Sequence, residues 1–277
     1  MIILIPLGGF GSRFKKQGYK LPKALINVSG KPIIFWLLDN IKFNNKIDFI
    51  YIPYNKEYQK YNFEDLLKNK YPNIKFKFLC LENNTGGAAE TVLLALNQII
   101  SENIKYPKSY DQMRKHIDKP ILCLDSDNFY LNDIITEWGG EDKIFVFNDQ
   151  KNIPIYSYVN CDTDDNILEI VEKEKISNLA CCGAYGFSSL KNLYEYANKV
   201  INNEVYQKNE FYTSGVINLM INDNINFKAN IIKNKNYFTL GIPENVKKFE
   251  TIFLLDLDGT LVSTDHIYIE VWKELLI

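Results

Sequence analysis

Short apolar stretches rich in β-branched and aromatic residues alternate with helix-patterned stretches through the first half of the chain, and few folds accept that alternation. The apolar runs are Ile2 to Leu7, Phe49 to Pro53, Phe76 to Leu81 and Ile121 to Leu124. Helical patterns fall in Pro32 to Ile41, around Tyr58 to Leu67 and in Ala88 to Ile100. Strands that are apolar on nearly every residue need cover on both faces, and helical crossovers of a parallel sheet supply it. The first half therefore reads as α/β, a doubly wound, Rossmann-like sheet. The pattern then changes. Ile144 to Phe147 reads as one strand, Tyr156 to Cys161 and Ile167 to Val171 as a hairpin closed by the polar turn Asp162 to Asn166, and Ala180 to Phe187 as a further strand. Late antiparallel strands make the sheet mixed. The polar stretch Asn103 to Lys119 reads as an exposed excursion, and no internal repeat or low-complexity linker interrupts the chain.

Open α/β sheets collect ligands at the carboxyl ends of their strands, where loops and helix amino termini converge. The first such loop is Leu7-Gly8-Gly9-Phe10-Gly11-Ser12-Arg13, with Pro22-Lys23 shortly after it. Its glycines let backbone amides approach a phosphate chain, and Arg13 and Lys23 add positive charge. No G-K-[ST] follows, so this is not a Walker A loop, and Phe14 stands where the third glycine of the dinucleotide fingerprint would be. The run Ile121 to Leu124 leads directly into Asp125-Ser126-Asp127-Asn128-Phe129. Mg²⁺ takes oxygen ligands and is usually held by one or two carboxylates together with substrate phosphates. Asp127 is the expected metal ligand. Asp125, two residues earlier on the same side of the strand, is expected to stand behind it without touching the ion. The acidic turn Asp162, Asp164, Asp165 lacks the glycine and glutamate of a calcium loop and reads as solvated.

These loops together resemble the sugar-phosphate nucleotidylyltransferases, whose signature is L-x-G-G-x-G-[ST]-R followed by P-K. The resemblance spans residues 1 to 247 and implies a GT-A-like nucleotidyltransferase fold. It assigns Leu7, Gly8, Gly9, Gly11 and Ser12 to the nucleoside triphosphate, Arg13 to its outgoing phosphates and Lys23 to the transferred group. Glu82 to Thr91 resembles the segment that meets base and ribose, which places Gly86, Gly87 and Ala88 there. Asp127 matches the aspartate of G-D-x-x-[FW]. Glu172-Lys173 resembles the E-K pair at the sugar phosphate, and Gly183 to Phe187 the G-x-Y-x-F strand, where Gly183 leaves room for a sugar ring. Tyr237 to Glu244 resembles W-x-D-x-G-T-P-E, but Thr239 replaces the aspartate that often completes the metal site.

The implied reaction joins a nucleoside triphosphate to a sugar 1-phosphate and releases pyrophosphate, with Mg²⁺ as cofactor. A cytidylyltransferase acting on a phosphorylated amino alcohol or phosphonate is the alternative within enzymes, and a nucleotide-sugar-binding regulator without chemistry the alternative outside them. Base, sugar and oligomeric state stay open, a homo-oligomer included.

Composition narrows the partners. With Lys plus Arg at 32 and Asp plus Glu at 34, the formal net charge is -2, and a nucleic-acid partner, which needs a basic face, is not expected. The apolar opening is too short for a signal peptide or a membrane span, so a soluble, cytoplasmic protein is expected. The five cysteines form no C-x-x-C pair and read as idle thiols. At the other end, residues 248–277 carry Asp256-Leu257-Asp258-Gly259-Thr260, which resembles the first motif of haloacid-dehalogenase-type phosphatases, with Asp256 as nucleophile and Asp258 as acid/base. The expectation is a truncated start of a second domain belonging to a longer, bifunctional parent, in which the phosphatase could be the chief activity.

Overall fold

The computed structural model describes residues 1–103 and 118–251. Strands Ile2–Leu4 (β1), Asn27–Val28 (β2), Lys31–Pro32 (β3), Phe49–Asn55 (β4), Phe76–Leu81 (β5), Ile121–Leu124 (β6) and Asn128–Tyr130 (β7) come from the first half of the chain. Lys143–Asn148 (β8), Ser157–Cys161 (β9), Ile167–Glu172 (β10), Leu179–Phe187 (β11), Lys228–Ile231 (β12) and Tyr237–Thr239 (β13) complete the set. The main sheet runs β10-β9-β11-β6-β1-β4-β5, with β8 beside β11 and β12 beside β8. Neighbours among β6, β1, β4 and β5 are parallel, while β11 joins β6, β8 and β9 antiparallel. The mixed, doubly wound α/β sheet read from the sequence is the observed one.

Alternation along each strand feeds two cores. Ile2, Leu4 and Tyr51 face the layer of helices Ala88–Asn103, Leu190–Asn202 and Thr213–Asn222. Ile3, Ile50 and Ile52 face the opposite layer, which includes helix Ile33–Asn40 and the fully buried Trp138. Successive side chains on a strand point to opposite faces, so a strand buried on both sides has no polar stripe. Helix Leu190–Asn202 starts where the Ser189 hydroxyl accepts the Asn192 amide at 3.0 Å. Ser189→Ala should therefore cost about 1 kcal/mol and lower the Tm by roughly 2–4 °C in a thermal melt.

Three local readings change. β1 ends at Leu4, although Leu7 still bridges to Tyr54. The helix expected around Tyr58 to Leu67 splits into a 3-10 turn, Lys56–Tyr61, and an α-helix, Phe63–Lys70, because Asn62 between them adopts φ 49°. The short ribbon of β7 with β13 was not expected, and it proves central to the site. The turn at Asp162 is exposed as read, its carboxylate accepting the amides of Asp164 and Asn166 at 2.9 Å. All five cysteines are free, and no described helix is long and apolar enough to cross a membrane. Residues 104–117 and the phosphatase-like stretch with Asp256 and Asp258 lie outside the described residues.

Candidate active site

The carboxyl ends of β1, β4, β5 and β6 open on one side of the sheet, and a cavity of about 490 Å³ lies there. Arg13, Lys23, Ala88, Asp125, Asp127, Glu172 and Gly183, drawn from six separate stretches of sequence, all line it. Arg13 belongs to the five-residue helix Ser12–Lys16, entered through Gly11 at φ 60°. That conformation strains any residue with a Cβ, and a Cβ at Gly11 would also come within 3.1 Å of the Lys23 side chain. Gly11 thus lets Lys23 pack against the loop that carries Arg13. Gly8 sits flush against Thr91, whose hydroxyl is 2.7 Å from that of Thr85, while Gly9 faces open space.

Two carboxylates face these cations. β6 ends at Leu124, and the turn Asp125 to Asn128 leads into β7. The Asp127 carboxylate forms an ion pair with the Lys23 ammonium. Its backbone carbonyl accepts the Leu240 amide at 2.7 Å, so β13 and the turn after it clasp the aspartate. A Cβ at Gly241 would stand 2.5 Å from Asp127 Oδ2; the glycine leaves the carboxylate its place. Asp125 lies deeper. Burial, and after it the charge of Asp127, pushes its carboxyl up to about 7. Thr239 also lines the cavity, where its hydroxyl accepts the Gly241 amide at 3.4 Å.

The cavity wall is also aromatic and acidic. Tyr156, Tyr185, Tyr212 and Tyr237 line it together with Glu172. The buried Glu172 carboxylate accepts hydroxyl hydrogen bonds from Ser157 and from Ser214 at 3.2 Å.

The surroundings of several expected residues are now visible. The Lys173 side chain turns from the cavity onto Tyr212, donating to its hydroxyl at 2.5 Å, so Glu172 alone of the pair faces the site. Gly183 lines the cavity at φ 77°, and it also leaves the space that Asp125 Oδ2 and Asn128 Nδ2 fill. Gly86 is exposed, and both it and Gly87 pack against the Phe211 segment. The Phe211 amide donates to Gly86 O at 3.0 Å, Phe211 O accepts from Ala89 N at 2.9 Å, and a Cβ on Gly87 would overlap the Phe211 backbone. The Gly86 amide is held by the Glu90 carboxylate at 2.5 Å. Tyr212, Ser157 and Ser214 went unread because no local pattern marks them.

A nucleotidyl transferase family model matches residues 2–234. Among curated proteins, the bifunctional protein GlmU of Methanocaldococcus jannaschii is 25% identical over 201 residues, 72% of this chain and 42% of that protein. The chain thus spans less than half the length of such relatives. Among solved structures, the nucleoside-diphosphate-sugar pyrophosphorylase from Vibrio cholerae is similar with a TM-score of 0.74 at 20% identity, covering 91% of this chain and 100% of that one. CTP:phosphocholine cytidylyltransferase from Streptococcus pneumoniae is similar with a TM-score of 0.67 at 13% identity, covering 91% and 98%. These two likenesses, both of low identity, establish the shared fold. The family match across most of the sequence goes further: the chain belongs to the nucleotidyl transferase family.

Proposed function

We propose that the protein is a sugar-1-phosphate nucleotidylyltransferase. An oxygen of the acceptor phosphate attacks the α-phosphorus of a nucleoside triphosphate, the bond from that phosphorus to the β-phosphate's bridging oxygen breaks, and pyrophosphate leaves. The observation that carries this reading is the convergence of Arg13, Lys23 and Asp127 on one cavity at the carboxyl edge of the parallel strands. The acceptor is already ionised, so no general base is needed; positioning and charge neutralisation suffice. Arg13 is suited to the leaving pyrophosphate. Lys23, now paired with Asp127, can exchange that carboxylate for the phosphoryl group in transit.

Asp127 and its neighbourhood fit Mg²⁺, since the donor set is oxygen and Gly241 leaves the carboxylate unobstructed. A bound Mg²⁺ would neutralise phosphate charge and polarise the reacting phosphoryl group. Gly8 through Ser12 supply backbone amides to the triphosphate in this scheme, the Leu7 amide being held by Pro53 O at 2.8 Å, and Ala88 borders its nucleoside side.

One feature favours a second reading. The cavity carries four tyrosines and a buried carboxylate, while the nearby Lys173 ammonium is engaged by Tyr212. Aromatic faces with a carboxylate suit a cationic head group as well as a sugar ring. This is the surrounding expected of a cytidylyltransferase for a phosphorylated amino alcohol. The test is a pyrophosphate-release screen of four triphosphates against sugar 1-phosphates, amino-alcohol phosphates and phosphonates. Turnover confined to a sugar 1-phosphate supports the first reading, and turnover confined to CTP with an amino-alcohol phosphate supports the second. Triphosphate binding in calorimetry with no turnover across the panel would make the protein a binding regulator.

A further inference from the structure

A carboxylate enclosed by protein is costly unless a donor or a cation meets it. Asp125 lies at the floor of the cavity, in the space that Gly183 leaves by lacking a Cβ. Its backbone is fixed, the amide donating to Gly183 O at 2.8 Å. Its carboxylate, by contrast, has no hydrogen-bond donor and no ion-pair partner among the described residues. Asp127 and Glu172 face it with like charge, and Lys23, whose positive charge reaches it, is bonded to Asp127 instead. From β13, Tyr237 and Thr239 line the cavity, and both bring neutral hydroxyls. Two carboxylates two residues apart, the inner one unpaired and open to a cavity, form a donor set short of a cation.

We propose that Asp125 binds the divalent cation directly and, with Asp127, supplies the second carboxylate that the chain lacks at Thr239. This rests on the nucleotidylyl-transfer reading for its purpose, but the binding itself is measured without turnover. Hard divalent cations are held by one or two carboxylates with phosphate oxygens completing the shell, so moving the second carboxylate from β13 to the β6 turn preserves the charge of the site. Asp125 is then a working ligand, and the glycine at 183 is the feature that admits it.

The experiment titrates the full chain with Mn²⁺, free ion being read by electron paramagnetic resonance, with and without α,β-methylene analogues of the four ribonucleoside triphosphates. Asp125→Asn should weaken Mn²⁺ about tenfold or more, while analogue binding in metal-free buffer, read by calorimetry, stays within about twofold of wild type. Asp125→Asn combined with Thr239→Asp should regain most of the lost Mn²⁺ affinity. In EDTA, Asp125→Asn should melt at or above the wild-type temperature, since a neutral amide no longer repels Asp127 and Glu172, and Asp125→Ser serves if the amide variant misfolds. Wild-type Mn²⁺ affinity in Asp125→Asn, alongside its loss in Asp127→Asn, would overturn the proposal, as would a wild type that takes up no Mn²⁺ under either condition. Absence of analogue binding to the wild type, with Mn²⁺ still taken up through Asp125, would instead count against the transferase reading and leave the cation site standing.

Discussion

Asp127→Asn is expected to slow pyrophosphate release by about a hundredfold or more, roughly 3 kcal/mol of lost transition-state stabilisation. The size follows from where the residue sits. Its carboxylate is in ion-pair contact with Lys23, and it occupies the place that Gly241 keeps clear. In the proposed mechanism Asp127 holds the cation that balances charge on the transferring phosphoryl group, and an amide brings oxygen without charge. The fold should survive, because Asn is nearly isosteric and the clasp from Leu240 N reaches the main-chain carbonyl of residue 127, which the substitution leaves in place. Circular dichroism should therefore superimpose on wild type while kcat falls. Lys23, released from its partner, should hold triphosphate in metal-free buffer at least as tightly as before. Turnover equal to wild type would remove Asp127 from the reaction, and with it the reading that β6 ends at the reacting phosphate.

The parts of this arrangement that were legible in the sequence are those written in local pattern. β6 begins and ends at the residues where its apolar run does, since a strand covered on both faces has no polar position to blur its limits, and the half-buried edge strand β5 matches its run too although Lys77 interrupts it. Glycines at 8, 9 and 11 with Arg13, and an acid closing an apolar strand, are likewise contiguous signals. What stayed hidden depends on partners distant in sequence. The β7 and β13 ribbon pairs Phe129 with Phe238, three-residue strands too short to show a period, and without it the clasp on Asp127 cannot be inferred. Lys173 reads as a phosphate-binding cation until its φ of 51° and the hydroxyl of Tyr212 are seen to draw it aside. Glycine is the most ambiguous letter in the chain. Gly183 and Gly241 are there for the carboxylates of Asp125 and Asp127, which their own neighbours in sequence do not reveal.

Gly87→Ala decides between the two meanings such a glycine can have. If Gly87 is small so that a base can lie against it, a methyl group should weaken triphosphate binding and leave stability nearly untouched. The packing gives another outcome. A Cβ would stand 2.6 Å from Phe211 N and 2.8 Å from its carbonyl carbon, with the oxygen closer still. These are main-chain atoms, held by the paired hydrogen bonds to Gly86 O and Ala89 N, and they cannot swing aside as a side-chain tip would. Overpacking of this kind costs 1–3 kcal/mol, and φ of 154° adds strain for any residue other than glycine. Gly87→Ala should therefore lose roughly 3 kcal/mol and melt about 6–12 °C below wild type. Gly9→Ala, with nothing within 4 Å of the added carbon, should stay within about 0.5 kcal/mol. Phe211 adjoins Tyr212, and the displaced segment would carry that tyrosine with it, so acceptor KM should rise more than triphosphate KM. An unchanged melting temperature with a selective loss of triphosphate affinity would return Gly87 to the nucleotide and leave the Phe211 contact incidental.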